Sequence, residues 1–170
     1  RNLNPEDIAG ATKADGVVIS DELKGRLMYL ALNQKHPELS KPEVRQAFKY
    51  LIDYEGMRDS FLKGQYTIHQ NFLPATYLGA SEENPFSYNI EKAKELLASA
   101  GVEGLEVEIG VREAQERIEI GQSFQNAAAQ AGIKVNITVG TAKQILARYR
   151  ARELDVYLGA WGPDYPDPQT

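Results

Sequence analysis

Beyond residue 88 the apolar positions alternate between two spacings. Ala93, Leu96, Leu97 and Ala100 fall on one helical stripe, with Asn89 placed to cap the segment and Gly101 to end it. Leu105, Val107, Ile109 and Val111 then alternate with Glu106, Glu108 and Gly110, the period of a strand with one buried face. Ile120, Phe124, Ala127, Ala128 and Ala131 stripe a second helix closed by Gly132, and Ile133, Val135, Ile137 and Val139 form a second strand. Thr141 with Gln144 has the spacing of a capping box and opens a third helix through Ala142, Ile145, Leu146 and Tyr149. Leu154, Val156, Leu158 and Ala160 make a third strand. Helices alternating with strands predict an α/β fold, a mainly parallel sheet flanked by helices.

The first half follows a different pattern. Residues 16–19 and 26–32 read as short strands. Ser40-Lys41-Pro42-Glu43 looks like a capping box with proline in the first turn, ahead of Val44, Ala47, Phe48, Leu51 and Ile52 on one helical face. A short helix is expected over 54–62. Residues 65–88 carry Pro74, Gly79 and Pro85 with several aromatics and no period, which predicts a long ordered loop.

Composition narrows the functional classes. The net charge is −5, and no basic stripe interleaved with aromatics appears, which argues against a nucleic-acid partner. The cluster Arg148, Arg150 and Arg152 reads as a solvated helix end. No apolar run approaches membrane-spanning length. The absence of cysteine removes disulfides, thiolate metal sites and cysteine nucleophiles together. His36 and His69 have no metal-like spacing and read as exposed or capping loop residues. No nucleophile elbow or phosphate loop is present. Glu106 and Glu108 share the solvent side of their strand rather than forming a catalytic pair.

The most distinctive stretch is the end, Leu154 to Pro168, where a strand runs into a turn dense in aromatics, prolines and acids. Ligands of open α/β sheets bind beyond the carboxyl ends of strands, where Trp161 and Asp164 would sit. An aromatic plate beside a fixed carboxylate suits a ligand with an apolar part and a cation. Equally, Trp161 packed in a core and Asp164 shaping a proline turn would satisfy the same pattern.

Four segments match a family in order. Residues 42–53, PEVRQAFKYLID, resemble the "vRqAl…aiDr" segment of the family 5 extracellular solute-binding proteins, receptors of ABC importers for peptides, nickel and oligosaccharides. Residues 89–101, NIEKAKELLASAG, are similar to the family's "yDpekAkaLLaeAG" helix, and Ala131-Gly132-Ile133-Lys134-Val135 to its "GIkV" step. Trp161 to Pro168 resembles the "W..Dy.DP" signature, with Pro163 a departure before the aspartate. The resemblance implies a Venus-flytrap receptor of the periplasmic-binding-protein type II fold. In it, residues 1–25 are a lobe-boundary segment and 26–170 an incomplete second, C-terminal lobe. The chain opens with Arg1, which reads as a processed or truncated end.

By that resemblance Trp161, Asp164 and Tyr165 contact the ligand, with Asp164 holding a peptide's α-ammonium. The implied function is capture of a solute, peptide-like by preference, in the periplasm and delivery to ABC permease subunits. No catalysis, cofactor, metal, nucleic acid or membrane insertion is expected. A ligand-sensing module of a transcriptional regulator and a small hydrolase using the acids of the terminal turn are the rival expectations.

Overall fold

A computed structural model describes residues 5–20 and 22–162. In chain order the elements are α1 (Pro5–Ala11), β1 (Leu27–Leu32), α2 (Pro42–Tyr50), α3 (Tyr54–Asp59), α4 (Ile90–Ser99), β2 (Glu106–Arg112), α5 (Gln115–Gln130), β3 (Lys134–Gly140), α6 (Ala142–Arg150) and β4 (Val156–Trp161). The strands form one sheet in the order β1-β4-β2-β3. β2 runs parallel to both β3 and β4, and β1 joins the edge antiparallel to β4. The mainly parallel sheet read from the alternation is present.

The alternation also decides which helices cover which face. Val107, Ile109 and Val111 of β2 and Val156 and Leu158 of β4 are at most 1% exposed. They pack in one cluster with Val44, Ala47 and Phe48 of α2, Ala93 and Leu97 of α4, and Phe124, Ala127 and Ala128 of α5. Phe48 and Phe124 meet with ring centroids 5.2 Å apart. Each large apolar side chain so buried contributes roughly 1.5–3 kcal/mol. On the opposite face α6 packs through a smaller cluster of Ile145, Leu154 and Tyr157 with Ala31 beside it.

Local capping follows the sequence at most ends. Asn89 Oδ1 accepts from the Lys92 amide at 2.9 Å, and Thr141 and Gln144 complete their reciprocal box. Gly101 and Gly132 end α4 and α5 at φ of 65° and 83°, a region that side-chain-bearing residues avoid.

The structure corrects four expectations. Residues 16–19 form no strand: Val18 is 92% exposed, and no neighbour offers the run a ladder. Ser40 does not cap α2. Lys41 is the N-cap without a side-chain bond, because the Ser40 hydroxyl donates to the Pro37 carbonyl. The helix predicted over 54–62 ends as α3 at Asp59. Arg148 is not a solvated helix end. It grips Glu108 with two bonds of 2.8 and 2.9 Å, so the sheet face expected to be wet is half covered there.

Both histidines serve loops. His36 Nδ1 accepts from the amides of Glu38 and Leu39, and His69 Nε2–H donates to the Leu73 carbonyl. Residues 65–88 contain neither helix nor strand, as expected.

Candidate ligand-binding site

Because β2, β3 and β4 are parallel, their carboxyl ends at Arg112, Gly140 and Trp161 gather at one end of the sheet. The first turns of α5 and α6 follow directly from β2 and β3 and open at the same end. Trp161 is 39% exposed there, so it does not fill the interior. Its ring lies nearly parallel to that of Phe72, at 17° and 6.3 Å between centroids. Phe72 comes from the long loop and is 89% exposed. Asp164 and Tyr165 lie outside the described residues.

Strand register sets the sheet face that meets this end. Gly110 pairs with Tyr157 across β2 and β4, so Arg112 stands level with Gly159 and on the face shared by Tyr157, Gly159 and Trp161. Gly159 pairs with Tyr29 of β1. A Cβ added at Gly159 would lie 2.6 Å from Tyr29 Cζ and 2.6 Å from Tyr157 Cε1. The glycine is what lets both rings lie over the strand. Tyr157 in turn stacks on Tyr149 of α6 at 4.3 Å and meets Tyr29 edge-on at 6.4 Å. The result is a strip of three tyrosines beside Arg112, half open to solvent at its ends. Burial, followed by the neighbouring Tyr149 and Tyr157, raises the Tyr29 hydroxyl above the usual tyrosine range.

Two arginines give the site its charge. Arg117, in the first turn of α5, is 5% exposed, and its Nη1 donates to the Leu158 carbonyl at 3.3 Å. Among the described residues it pairs with the Glu116 carboxylate, 3.9 Å away. Burial and the neighbouring Arg112 both pull the Arg117 guanidinium below its ordinary value, the direction of a cation short of counter-charge. The buried Nε of Arg112 has no hydrogen-bond partner among the described residues. A buried donor left without a partner costs about 1–3 kcal/mol, more when charged. Arg112 and Phe72 were not singled out from the sequence. Arg112 is only the last residue of a strand, and Phe72 only one of several aromatics in a loop; their placement depends on parallel register and on loop folding.

The acids absent from this end are accounted for elsewhere. Glu106 pairs with Lys134 at 2.8 Å, and hydrogen bonds from Lys134 and Asn136 hold its carboxyl below the usual range. Glu108 is held by Arg148, with Thr138 adding a bond at 2.6 Å. No group of three or more histidine or acidic residues suited to a metal occurs among the described residues. Two shallow hollows lie at the opposite, amino end of the strands around 102–106, one lined mainly by apolar side chains and the other by His36, Glu38, Glu103 and Glu106. No helix among the described residues is long and apolar enough to cross a membrane.

A parallel α/β unit presenting aromatics and arginines at its strand ends has the form of a binding lobe, and the comparisons agree. The family profile "Bacterial extracellular solute-binding proteins, family 5 Middle" matches residues 1–170, and the chain belongs to that family. It is 28% identical to di/tripeptide-binding protein 1 of Pseudomonas aeruginosa over 99% of this chain and 33% of the relative. Among solved structures, it resembles the periplasmic binding protein DppA of Helicobacter pylori in complex with the peptide STSA. The TM-score is 0.90 at 25% identity, over 99% of this chain and 33% of that one. HbpA2 of Haemophilus parasuis matches with a TM-score of 0.86 at 29% identity, over 96% of this chain and 34% of that one. The chain thus spans about a third of the length of these relatives. The family is one of binding proteins, and the solved relatives share the lobe architecture expected from the resemblance.

Proposed function

We propose that residues 26–170 form the second lobe of an extracytoplasmic receptor, with 1–25 at the lobe boundary, which captures a peptide-like solute and delivers it to an ABC permease. The observation that supports this most is the family match over the whole chain, joined by relatives named for di- and tripeptide binding. The geometry adds a reason for a zwitterionic solute. Arg112 offers an unfilled guanidinium donor at the strand ends for a carboxylate. Asp164, three residues past Trp161, supplies the opposite charge for an ammonium. The ligand is held between lobes without bond making or breaking, and closure around it favours docking on the permease.

The test is calorimetric titration of the full-length protein with short peptides, sugars and metal chelates. Short peptides should bind and the other two classes should not. Each charge-assisted contact contributes roughly 1.5–3 kcal/mol, so Asp164→Ala and Arg112→Gln should each weaken peptide binding by roughly 10- to 100-fold. A folded protein that binds no peptide would refute the reading. Unchanged affinity in Asp164→Ala would remove that residue from the site.

A further inference from the structure

The loop 65–88 lacks helix and strand, yet the stretch that carries Phe72 is tied down on both sides. The Gln70 amide N–H donates to Asn84 Oδ1 at 2.9 Å, and the Gln70 side chain both donates to and accepts from the Phe86 backbone, at 2.6 and 2.7 Å. Asn71 Nδ2 donates to the carbonyls of Ser81 and Glu83, at 3.2 and 2.8 Å. His69 Nε2–H donates to the Leu73 carbonyl at 2.6 Å. Phe86 is itself fixed by Tyr50 and by the Lys49 ammonium 4.4 Å from its ring centroid. This network holds a phenyl ring almost wholly in solvent. A scattered surface phenylalanine needs no explanation, but this one is aligned with the exposed Trp161 at the carboxyl end of β4.

We propose that Phe72 and Trp161 together form the side-chain pocket of the captured solute, and that Phe72 selects peptides carrying a large apolar residue. This rests on the peptide-binding reading above and deepens it. In that reading Arg112 takes the carboxylate and Asp164 the ammonium of a peptide, contacts that say nothing about its side chains. The aromatic pair lies just beyond the strand ends, where a side chain projecting from such a peptide would arrive. The two ring faces offer it desolvation and stacking, and the indole N–H of Trp161 is the pair's one donor, so the preferred occupant is aliphatic or aromatic.

The experiment uses the full-length protein and three probes, Ala-Ala, Ala-Phe and Phe-Ala, titrated calorimetrically into wild type, Phe72→Ala and Phe72→Leu. Wild type should prefer at least one phenylalanine peptide over Ala-Ala. Phe72→Ala should weaken that peptide roughly ten-fold or more while leaving Ala-Ala within about two-fold, and Phe72→Leu should recover part of the loss. Thermal unfolding of both variants should match wild type, since the ring is 89% exposed. An equal loss for all three peptides would overturn the proposal and make Phe72 a contact of the closing lobes. So would unchanged binding throughout, or a wild type without preference between the probes. A wild type that binds none of the three refutes the peptide reading itself, a result separable from the others.

Discussion

Gly159→Ala should cost stability although alanine is ordinarily the better strand residue. The added methyl would meet Tyr29 Cζ and Cε2 at 2.6 and 2.8 Å and Tyr157 Cε1 at 2.6 Å. Ordinary carbon contacts begin near 3.5 Å, so one ring has to move by about 1 Å. Tyr157 is 3% exposed and clasped against Tyr149, whereas Tyr29 is 36% exposed and free to swing outward. Overpacking of this kind costs about 1–3 kcal/mol, offset by the ~0.5–1 kcal/mol that alanine saves over glycine in strand entropy. The net expectation is a loss of about 1–2 kcal/mol, a fall of roughly 2–8 °C in Tm for a domain of this size. Equilibrium denaturation of Gly159→Ala, Tyr29→Ala and the double variant measures it. In the Tyr29→Ala background the methyl has room, so the cycle should show a coupling of at least ~0.5 kcal/mol. A neutral or stabilising Gly159→Ala in the wild-type background would show that no ring lies over the glycine.

Two further outcomes test the scaffold. Hydrogen bonds from Arg148, with a further bond from Thr138, hold the Glu108 carboxyl below its ordinary value, so its folded pKa lies under the unfolded one. The resulting stabilisation is fully present above the unfolded value near pH ~4.3 and disappears as pH falls through the folded value. Glu108→Gln should therefore lose about 1 kcal/mol at neutral pH by urea denaturation, and the gap to wild type should close toward pH ~3; a gap that ignores pH would refute the ion pair's role. Ile109, 0% exposed at the centre of β2, should cost about 2–5 kcal/mol on replacement by alanine, with an unchanged denaturant slope. A cost below ~1 kcal/mol would mean the site collapses around the missing atoms.

The second half of the fold was readable because each strand there has one buried face and each helix one stripe, so periodicity alone separates them. The reading failed where a local signal had to compete with tertiary options. Val17, Val18 and Ile19 have the branched side chains of a strand, but a strand needs a partner edge, and none reaches them. Ser40 has cap chemistry, but its hydroxyl is taken by the turn that precedes α2. Pro5, Glu6 and Asp7 carry the proline-then-acid mark of a helix start, a signal that α1 shows was available. Trp161 stands out in the sequence because a dense motif surrounds it. Arg112 had no such neighbourhood: its buried Nε is a product of register between strands distant in sequence. Arg148 was misjudged because spacing along α6 says nothing of the glutamate waiting on β2.

The antiparallel edge strand has a mechanical corollary. Leu27 of β1 pairs with Trp161 of β4, and a Cβ at Gly162 would sit 3.0 Å from the Gly25 carbonyl oxygen. The polypeptide therefore arrives and departs through two adjoining threads, as a drawer is held by paired runners. A unit tethered in this way is readily inserted within another domain without disturbing either fold.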